Sequence, residues 1–133
     1  MDTLPAIHAA ALWAGLHLIL LLVLSLRVVG ERRRHGVALG DAAIPQLQHA
    51  IRAFGNATEY IPAGLIALAV LAMAGAAAMV VHAIGLTLLC GRIVHAVGLS
   101  RSGAASPIRA GGILLTWIAY ILAAVALIFY AIP

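Results

Sequence analysis

The sequence predicts an all-α integral membrane protein that folds as a four-helix bundle. Of its 133 residues, 65% are hydrophobic and only 9% are charged, a balance far too apolar for a soluble domain. Three long segments, residues 4–26, 60–91 and 110–133, contain no Asp, Glu, Lys or Arg. Because a helix needs about 20 apolar residues to cross a bilayer core of about 30 Å, these segments indicate membrane spans.

The helices can be placed from the lengths of the uncharged segments. The first and last segments each suit one spanning helix, whereas the middle one is long enough for two. The small residues of AMAGAAAM (72–79) mark the turn between those two helices. We therefore expect a single domain over residues 1–133, with helices near 4–29, 45–73, 77–99 and 107–131. Pro45 suits the first turn of the second helix, where its missing N–H has no intrahelical partner.

The basic residues predict the orientation of the bundle. All eight are arginines, and they flank the first and third connections: Arg27, Arg32, Arg33, Arg34 and Arg52, then Arg92, Arg101 and Arg109. The positive-inside rule places both arginine-bearing connections in the cytoplasm and both termini outside. The net charge of +4 thus reflects topology and contact with anionic membrane lipids. A nucleic-acid partner is not expected, because no basic soluble surface remains for it.

The stretch IRAFGNATEYIP (51–62) places polar side chains at the start of the second span. Arg52, Asn56 and Glu59, at i, i+4 and i+7, lie within about 60° of one another around a helix. At a rise of about 1.5 Å per residue, Glu59 lies about 10 Å deeper in the membrane than Arg52. A charged side chain in the membrane interior costs about 2.5–3.5 kcal/mol, so we expect this stripe to face protein or a cavity.

Two interpretations of the stripe remain. In the first, Arg52 and Glu59 form a structural ion pair between helices. In the second, the stripe faces an anion-binding cavity, because GRIVHAVG puts Arg92 and His95 one turn apart and SPIRAGG opens the fourth helix with Arg109. All three arginines lie at the cytoplasmic ends of helices, with Glu59 as the nearest acid. This surplus of positive charge favours an anionic ligand.

No metal site is expected. The single cysteine, Cys90, lies within a predicted helix, which excludes a disulfide framework and a cysteine-based metal cluster. No HExxH spacing is present either.

These motifs resemble the MAPEG family, the membrane-associated proteins in eicosanoid and glutathione metabolism. RAFGNATEY fits the R-x₃-N-x₂-E pattern of that family's second helix, and RIVH fits its R-x-x-H/Y pattern on the third. SPIR is similar to the opening of the fourth helix in the prostaglandin E synthase branch. The likeness covers essentially the whole chain and is strongest for the small bacterial inner-membrane members.

The resemblance implies a homotrimer in the bacterial inner membrane, with both termini periplasmic and glutathione bound between neighbouring subunits near the cytoplasmic face. Carried over residue by residue, the residues that would hold glutathione are Arg52, Asn56, Glu59, Tyr60, Arg92 and His95. Arg109 would be the catalytic arginine that stabilises the thiolate. The reaction implied is glutathione-dependent transferase or peroxidase chemistry on a lipophilic small-molecule substrate. One position departs from the pattern, because several active members have a tyrosine where this sequence has Leu99.

Two other classes of membrane protein compete with this interpretation. A small proton-coupled multidrug exporter also has four short helices and one membrane glutamate, but its glutamate lies in the first helix. The first helix here has no acid after Asp2, and an arginine-lined pocket would repel cationic drugs. The stronger rival is a non-catalytic trimer of the same fold that binds lipid or serves as an accessory protein. The complete set of Arg52, Asn56 and Glu59 favours glutathione binding.

Overall fold

The computed structural model describes residues 3–101 and 104–132. Within them the chain forms four helices: α1 Leu4–His35, α2 Pro45–Met73, α3 Ala78–Arg101 and α4 Pro107–Ala131. Each helix is long and apolar enough to cross a membrane. The predicted all-α fold with four spanning helices is thereby confirmed.

Helix α1 is longer than the sequence predicted. Its end was expected near residue 29, but the helix continues through the arginine run to His35. Gly36 ends it in the left-handed conformation, with φ 67° and its N–H directed to the carbonyls of Arg32 and Arg33. Basic side chains in the last turn interact favourably with the helix dipole, so nothing before Gly36 stops the helix. Its 32 residues span about 48 Å, so its arginine end extends beyond a bilayer core of about 30 Å.

Helix α3 also differs slightly from its expected bounds of 77–99, because it begins at Ala78 and ends at Arg101. Helices α2 and α4 begin and end where they were expected. Ser106 caps α4 by accepting a hydrogen bond of 3.2 Å from the backbone N–H of Arg109. Pro107 follows at the first helical position, so Arg109 lies in the first turn of α4.

Helices α2 and α3 each pack against the other three helices, and the most extensive contact is between α3 and α4. One buried apolar cluster surrounds Trp13, Leu68 and Val81, and a second surrounds Leu24 and Ile61. Large hydrophobic side chains along α1 and α4 remain exposed: Leu18, Ile19, Leu22, Ile121, Val125 and Phe129. Such a surface suits contact with lipid.

Helices α3 and α4 approach closely because glycines occupy their points of contact. A Cβ atom on Gly98 would lie 2.8 Å from the Cα atom of Arg109. A Cβ atom on Gly112 would overlap the backbone nitrogen of His95 and lie 2.6 Å from its Cα atom. Both contacts are with backbone, which cannot move aside as a flexible side chain can. The two glycines therefore hold the backbones of His95 and Arg109 against each other.

Candidate functional site

A cavity of about 440 Å³ lies between α2, α3 and the start of α4. Its walls are formed by Asn56, Tyr60, His95, Ala105, Ser106, Arg109, Ala110 and Ile113. This volume falls within the range of about 300–1,000 Å³ that is usual for small-molecule sites. Four of the predicted site residues, Asn56, Tyr60, His95 and Arg109, thus meet in one place from three helices.

Arg109 contributes a charge that no described residue neutralises. Its backbone is fixed by the Ser106 cap and by the close approach of Gly98. Its side chain is half-buried and lines the cavity. Its guanidinium group makes no hydrogen bond or ion pair with any other residue that the structure describes. The positive charge is therefore available to a ligand in the cavity.

His95 is held in place by Arg109. Its Nδ1 atom lies 2.9 Å from the backbone carbonyl oxygen of Arg109. The residue is only 5% exposed, yet it lines the cavity. The backbone of Arg109 thus positions the imidazole ring of His95 in the cavity wall.

Arg92 was expected to complete the pocket, but it lies behind the cavity wall. Its side chain is 1% exposed. Its Nε atom donates to Thr116 Oγ1 at 2.9 Å, and its Nη1 atom donates to Asn56 Oδ1 at 2.8 Å. Its guanidinium carbon lies 4.9 Å from the ring centroid of Tyr60, within the range of a cation–π interaction. Arg92 therefore positions two residues of the wall and does not itself line the cavity.

The buried charge of Arg92 has only neutral direct partners among the described residues. Its Nη2 atom has no hydrogen-bond partner there. The amide nitrogen of Asn56 lies 3.4 Å from Glu59 Oε2, on the other side of that amide group. Asn56 thus connects the guanidinium group of Arg92 to the carboxylate of Glu59.

Arg52 and Glu59 lie on the exposed surface of α2 and do not line the cavity of their own chain. The proposed ion pair between them does not form within the part of the chain that is described. The one ion pair found there joins Glu31 and His35 on α1, at 3.4 Å. Two charged residues of a membrane-spanning helix are therefore left uncovered in a single chain.

Two polar residues of α4, Thr116 and Tyr120, were not among the site residues predicted from the sequence. Thr116 accepts the hydrogen bond from Arg92 and donates to the carbonyl of Gly112 at 3.0 Å. Tyr120 donates from its hydroxyl to the backbone carbonyl of Tyr60, and the two rings lie 6.1 Å apart. Together with Arg109 they stand at i, i+7 and i+11, which is one face of a helix. That spacing is the signal that could have found them.

Leu99 occupies the position where a tyrosine was noted in several members of the resembling family. It is buried and packs in the cluster with Leu24 and Ile61. Tyr60 of α2 is instead the tyrosine whose side chain lines the cavity.

Comparison with known proteins gives two results. The MAPEG family matches over residues 10–129. The chain is 38% identical over 121 residues to the inner membrane protein YecN of Escherichia coli strain K12, an alignment that covers 91% of each protein. YecN of Escherichia coli O6:H1 matches with the same identity and coverage.

Proposed function

The chain belongs to the MAPEG family, and from this membership we propose that it binds glutathione and activates its thiol for attack on lipophilic electrophiles. Four helices that can each cross a membrane make it a multi-pass membrane protein. Its relative YecN is an inner membrane protein, which supports the same location for this chain. The observation that carries the proposal is the meeting of Arg109, His95, Tyr60 and Asn56 around one cavity.

The cavity suits the charges of glutathione, which has two carboxylates, one ammonium group and one thiol. Arg109 offers a guanidinium group without a partner among the described residues, and such a group stabilises a nearby anion, here the glutathione thiolate. The amide oxygen of Asn56 accepts from Arg92 and one amide hydrogen is directed to Glu59, so the second amide hydrogen remains as a donor. Ser106 and Tyr60 add hydroxyl groups to the same walls. An anion with several hydrogen-bond acceptors fits this set.

The chemistry follows from the position of Arg109. A free thiol has a pKa of about 8.5, so only a small fraction is thiolate at neutral pH. An adjacent guanidinium group favours the thiolate because it stabilises the negative charge. The sulfur then forms a bond to the electrophilic carbon of a substrate that enters from the lipid, and the leaving group departs with the bonding electrons. With a peroxide, the sulfur attacks oxygen, the O–O bond breaks and the alcohol leaves. The thiol of a second glutathione then displaces water from the resulting sulfenic acid and gives glutathione disulfide.

The exposed charges of α2 support a homotrimer. An arginine or glutamate facing lipid would cost about 2.5–3.5 kcal/mol near the membrane centre. A second copy of the chain that covers α2 would remove this cost for Arg52 and Glu59. It would also add an arginine for a glutathione carboxylate and a carboxylate for the glutathione ammonium group. We therefore place three sites between neighbouring subunits, each completed by the adjacent copy.

The alternative is a non-catalytic accessory or lipid-binding trimer of the same fold. The leucine at position 99 is the feature that favours it, because several active members of the family have a tyrosine there. The two functions differ in turnover, and the alternative does not require glutathione.

Isothermal titration of the detergent-purified protein with glutathione tests the proposal. We expect saturable binding at millimolar glutathione or below, an ultraviolet thiolate band, and conjugation of a lipophilic aryl halide. The proposal fails if glutathione produces no binding heat and S-alkylglutathione does not compete for a glutathione site. Binding without a thiolate band and without turnover would establish the non-catalytic alternative.

A further inference from the structure

We propose that the Nε2 atom of His95 accepts the proton of the glutathione thiol, while Arg109 stabilises the thiolate that remains. This role rests on the proposed function and adds the group that removes the proton. It makes His95 a catalytic base in addition to a wall of the cavity.

The hydrogen bond to Arg109 determines which nitrogen of His95 can accept a proton. A carbonyl oxygen only accepts hydrogen bonds, so the Nδ1 atom at 2.9 Å from the Arg109 carbonyl carries the hydrogen. In a neutral imidazole the lone pair then lies on Nε2. This atom makes no hydrogen bond to any described residue, and the side chain lines the cavity. His95 therefore presents a free proton acceptor to a ligand.

The backbone keeps this tautomer in place. Gly112 lies against the backbone of His95, and Gly98 lies against the backbone of Arg109. The carbonyl and the imidazole ring consequently belong to one closely packed unit of α3 and α4. Within this unit the carbonyl stays beside Nδ1, which favours the tautomer with the hydrogen on Nδ1.

No other side chain of the described cavity wall can take the proton. Asparagine and serine side chains do not hold an additional proton at neutral pH. Arginine and tyrosine side chains are already protonated, so they have no site for a further proton. Ala105, Ala110 and Ile113 are apolar. Among the wall residues this leaves His95, with bulk water and a carboxylate from a neighbouring copy as competitors.

The transfer moves one proton from the glutathione sulfur to the imidazole nitrogen. The S–H bond breaks, its electron pair stays on sulfur, and the proton binds to Nε2 of His95. The imidazolium would then lie beside Arg109 and one helical turn from Arg92 on α3, and like charges repel. The proton therefore passes on to solvent water, and His95 returns to its neutral form. His95 controls how fast the thiolate forms, whereas Arg109 controls how much of it forms.

Rapid mixing of the protein with glutathione, followed by ultraviolet absorbance of the thiolate, separates these two roles. For His95→Gln we expect a rate of thiolate formation lower by about 10²–10⁴-fold, the usual contribution of a general base. At saturating glutathione, the final absorbance should stay close to that of the native protein. Arg109→Ala should show the opposite pattern, with a small final absorbance. Imidazole added to His95→Ala should restore part of the rate.

His17 provides a matched control. Its Nδ1 atom also bonds to a backbone carbonyl, that of Trp13 at 2.7 Å, but its side chain is fully buried and does not line the cavity. His17→Gln should leave the rate of thiolate formation unchanged. An equal loss of rate in both variants would overturn the assignment to His95.

Further outcomes decide against the proposal. A native rate in His95→Gln would transfer the role to water or to Glu59 of a neighbouring copy, and loss of rate in Glu59→Gln would identify the latter. If His95 variants do not fold, the native protein still gives an answer. A native rate independent of both buffer and hydroxide concentration supports an internal acceptor, and a rate proportional to either base overturns it. If the native protein binds no glutathione at all, the proposed function itself fails.

Discussion

The Nη1 atom of Arg92 donates a hydrogen bond of 2.8 Å to Oδ1 of Asn56, across the contact between α3 and α2. Its Nε atom is held at the same time by Thr116 of α4. Three helices therefore converge on one buried guanidinium group. Since Asn56 also lines the cavity, the stability of the bundle and the form of the cavity wall depend on the same bonds.

Asn56→Ala should lower the free energy of unfolding by about 1–3 kcal/mol, because it leaves a buried charged donor without its acceptor. Unfolding in detergent, followed by circular dichroism, measures the change. The double variant with Arg92→Met should lose less than the sum of the two single losses, since the unsatisfied group is then absent. Gln46→Ala, at an exposed position of α2, should change little. Strictly additive losses would show that the bond does not couple the two helices.

Gly112→Ala should disrupt the site, and Gly111→Ala should not. A Cβ atom at Gly112 would overlap the backbone of His95, whereas one at Gly111 would meet no atom within 4 Å. We expect Gly112→Ala to lose about 1–3 kcal/mol of stability through overpacking, together with glutathione binding. Gly111→Ala should be neutral or gain up to about 1 kcal/mol from helix propensity. Thermal unfolding and titration of both variants test this; similar behaviour of the pair would contradict it.

Arg52 and Arg109 should divide ligand binding from thiol activation. Losing one charge-assisted hydrogen bond costs about 1.5–3 kcal/mol, which is roughly a ten- to hundred-fold weaker affinity. Arg52→Ala should therefore raise the dissociation constant for glutathione by about that factor. Arg109→Ala should bind nearly normally but lack the thiolate band and any turnover. Arg101→Ala, outside the cavity wall, serves as the control.

If Arg109→Ala keeps its full thiolate absorbance while Arg52→Ala abolishes it, the two roles are reversed. If neither substitution has an effect, the site lies elsewhere.

The exposed face of α2 should be covered by other copies of the chain. Ile66 continues the line of Arg52 and Glu59 at seven-residue spacing, and it is 65% exposed in the single chain. Native mass spectrometry in mild detergent should find three chains. Ile66→Trp should weaken that assembly, while Ile121→Trp, at a residue of α4 that is 62% exposed, should not. Finding only monomers or dimers of the native protein would refute the trimer.

Both termini should lie in the periplasm, because the arginines cluster at the connections on the other side. Alkaline phosphatase, which is active only when exported, should be active when fused to the C-terminus. Green fluorescent protein that is fused to the C-terminus and exported by the same route should stay dark. The reverse pair of results would place the C-terminus in the cytoplasm.

The spans could be read from the sequence because apolar length alone determines them, and the bounds of α2 and α4 agree with that reading. The end of α1 could not be predicted in this way. Hydropathy indicates where the membrane span ends, whereas the helix itself ends at Gly36, beyond the span. Helical spacing placed Arg52, Asn56 and Glu59 on one side of α2. It could not separate Asn56, turned to the cavity, from its exposed neighbours, because that depends on where the other helices pack.

The burial of Arg92 shows the same limit. Its motif indicated a functional arginine, but its depth depends on Thr116, which α4 brings from 24 residues further along the chain. Neither residue alone carries a signal for the other. A ligand contact and a structural contact of an arginine look alike until the partner helix is in place.

The close contact of α3 and α4 also determines how this protein could acquire new substrates. Positions such as Gly98 and Gly112 meet backbone and accept no larger side chain, so a mutational library would return almost no functional variants there. Ala110 and Ile113 border the same cavity with apolar side chains that can be exchanged. Changes in substrate preference, whether in evolution or in the laboratory, should therefore accumulate at those two positions.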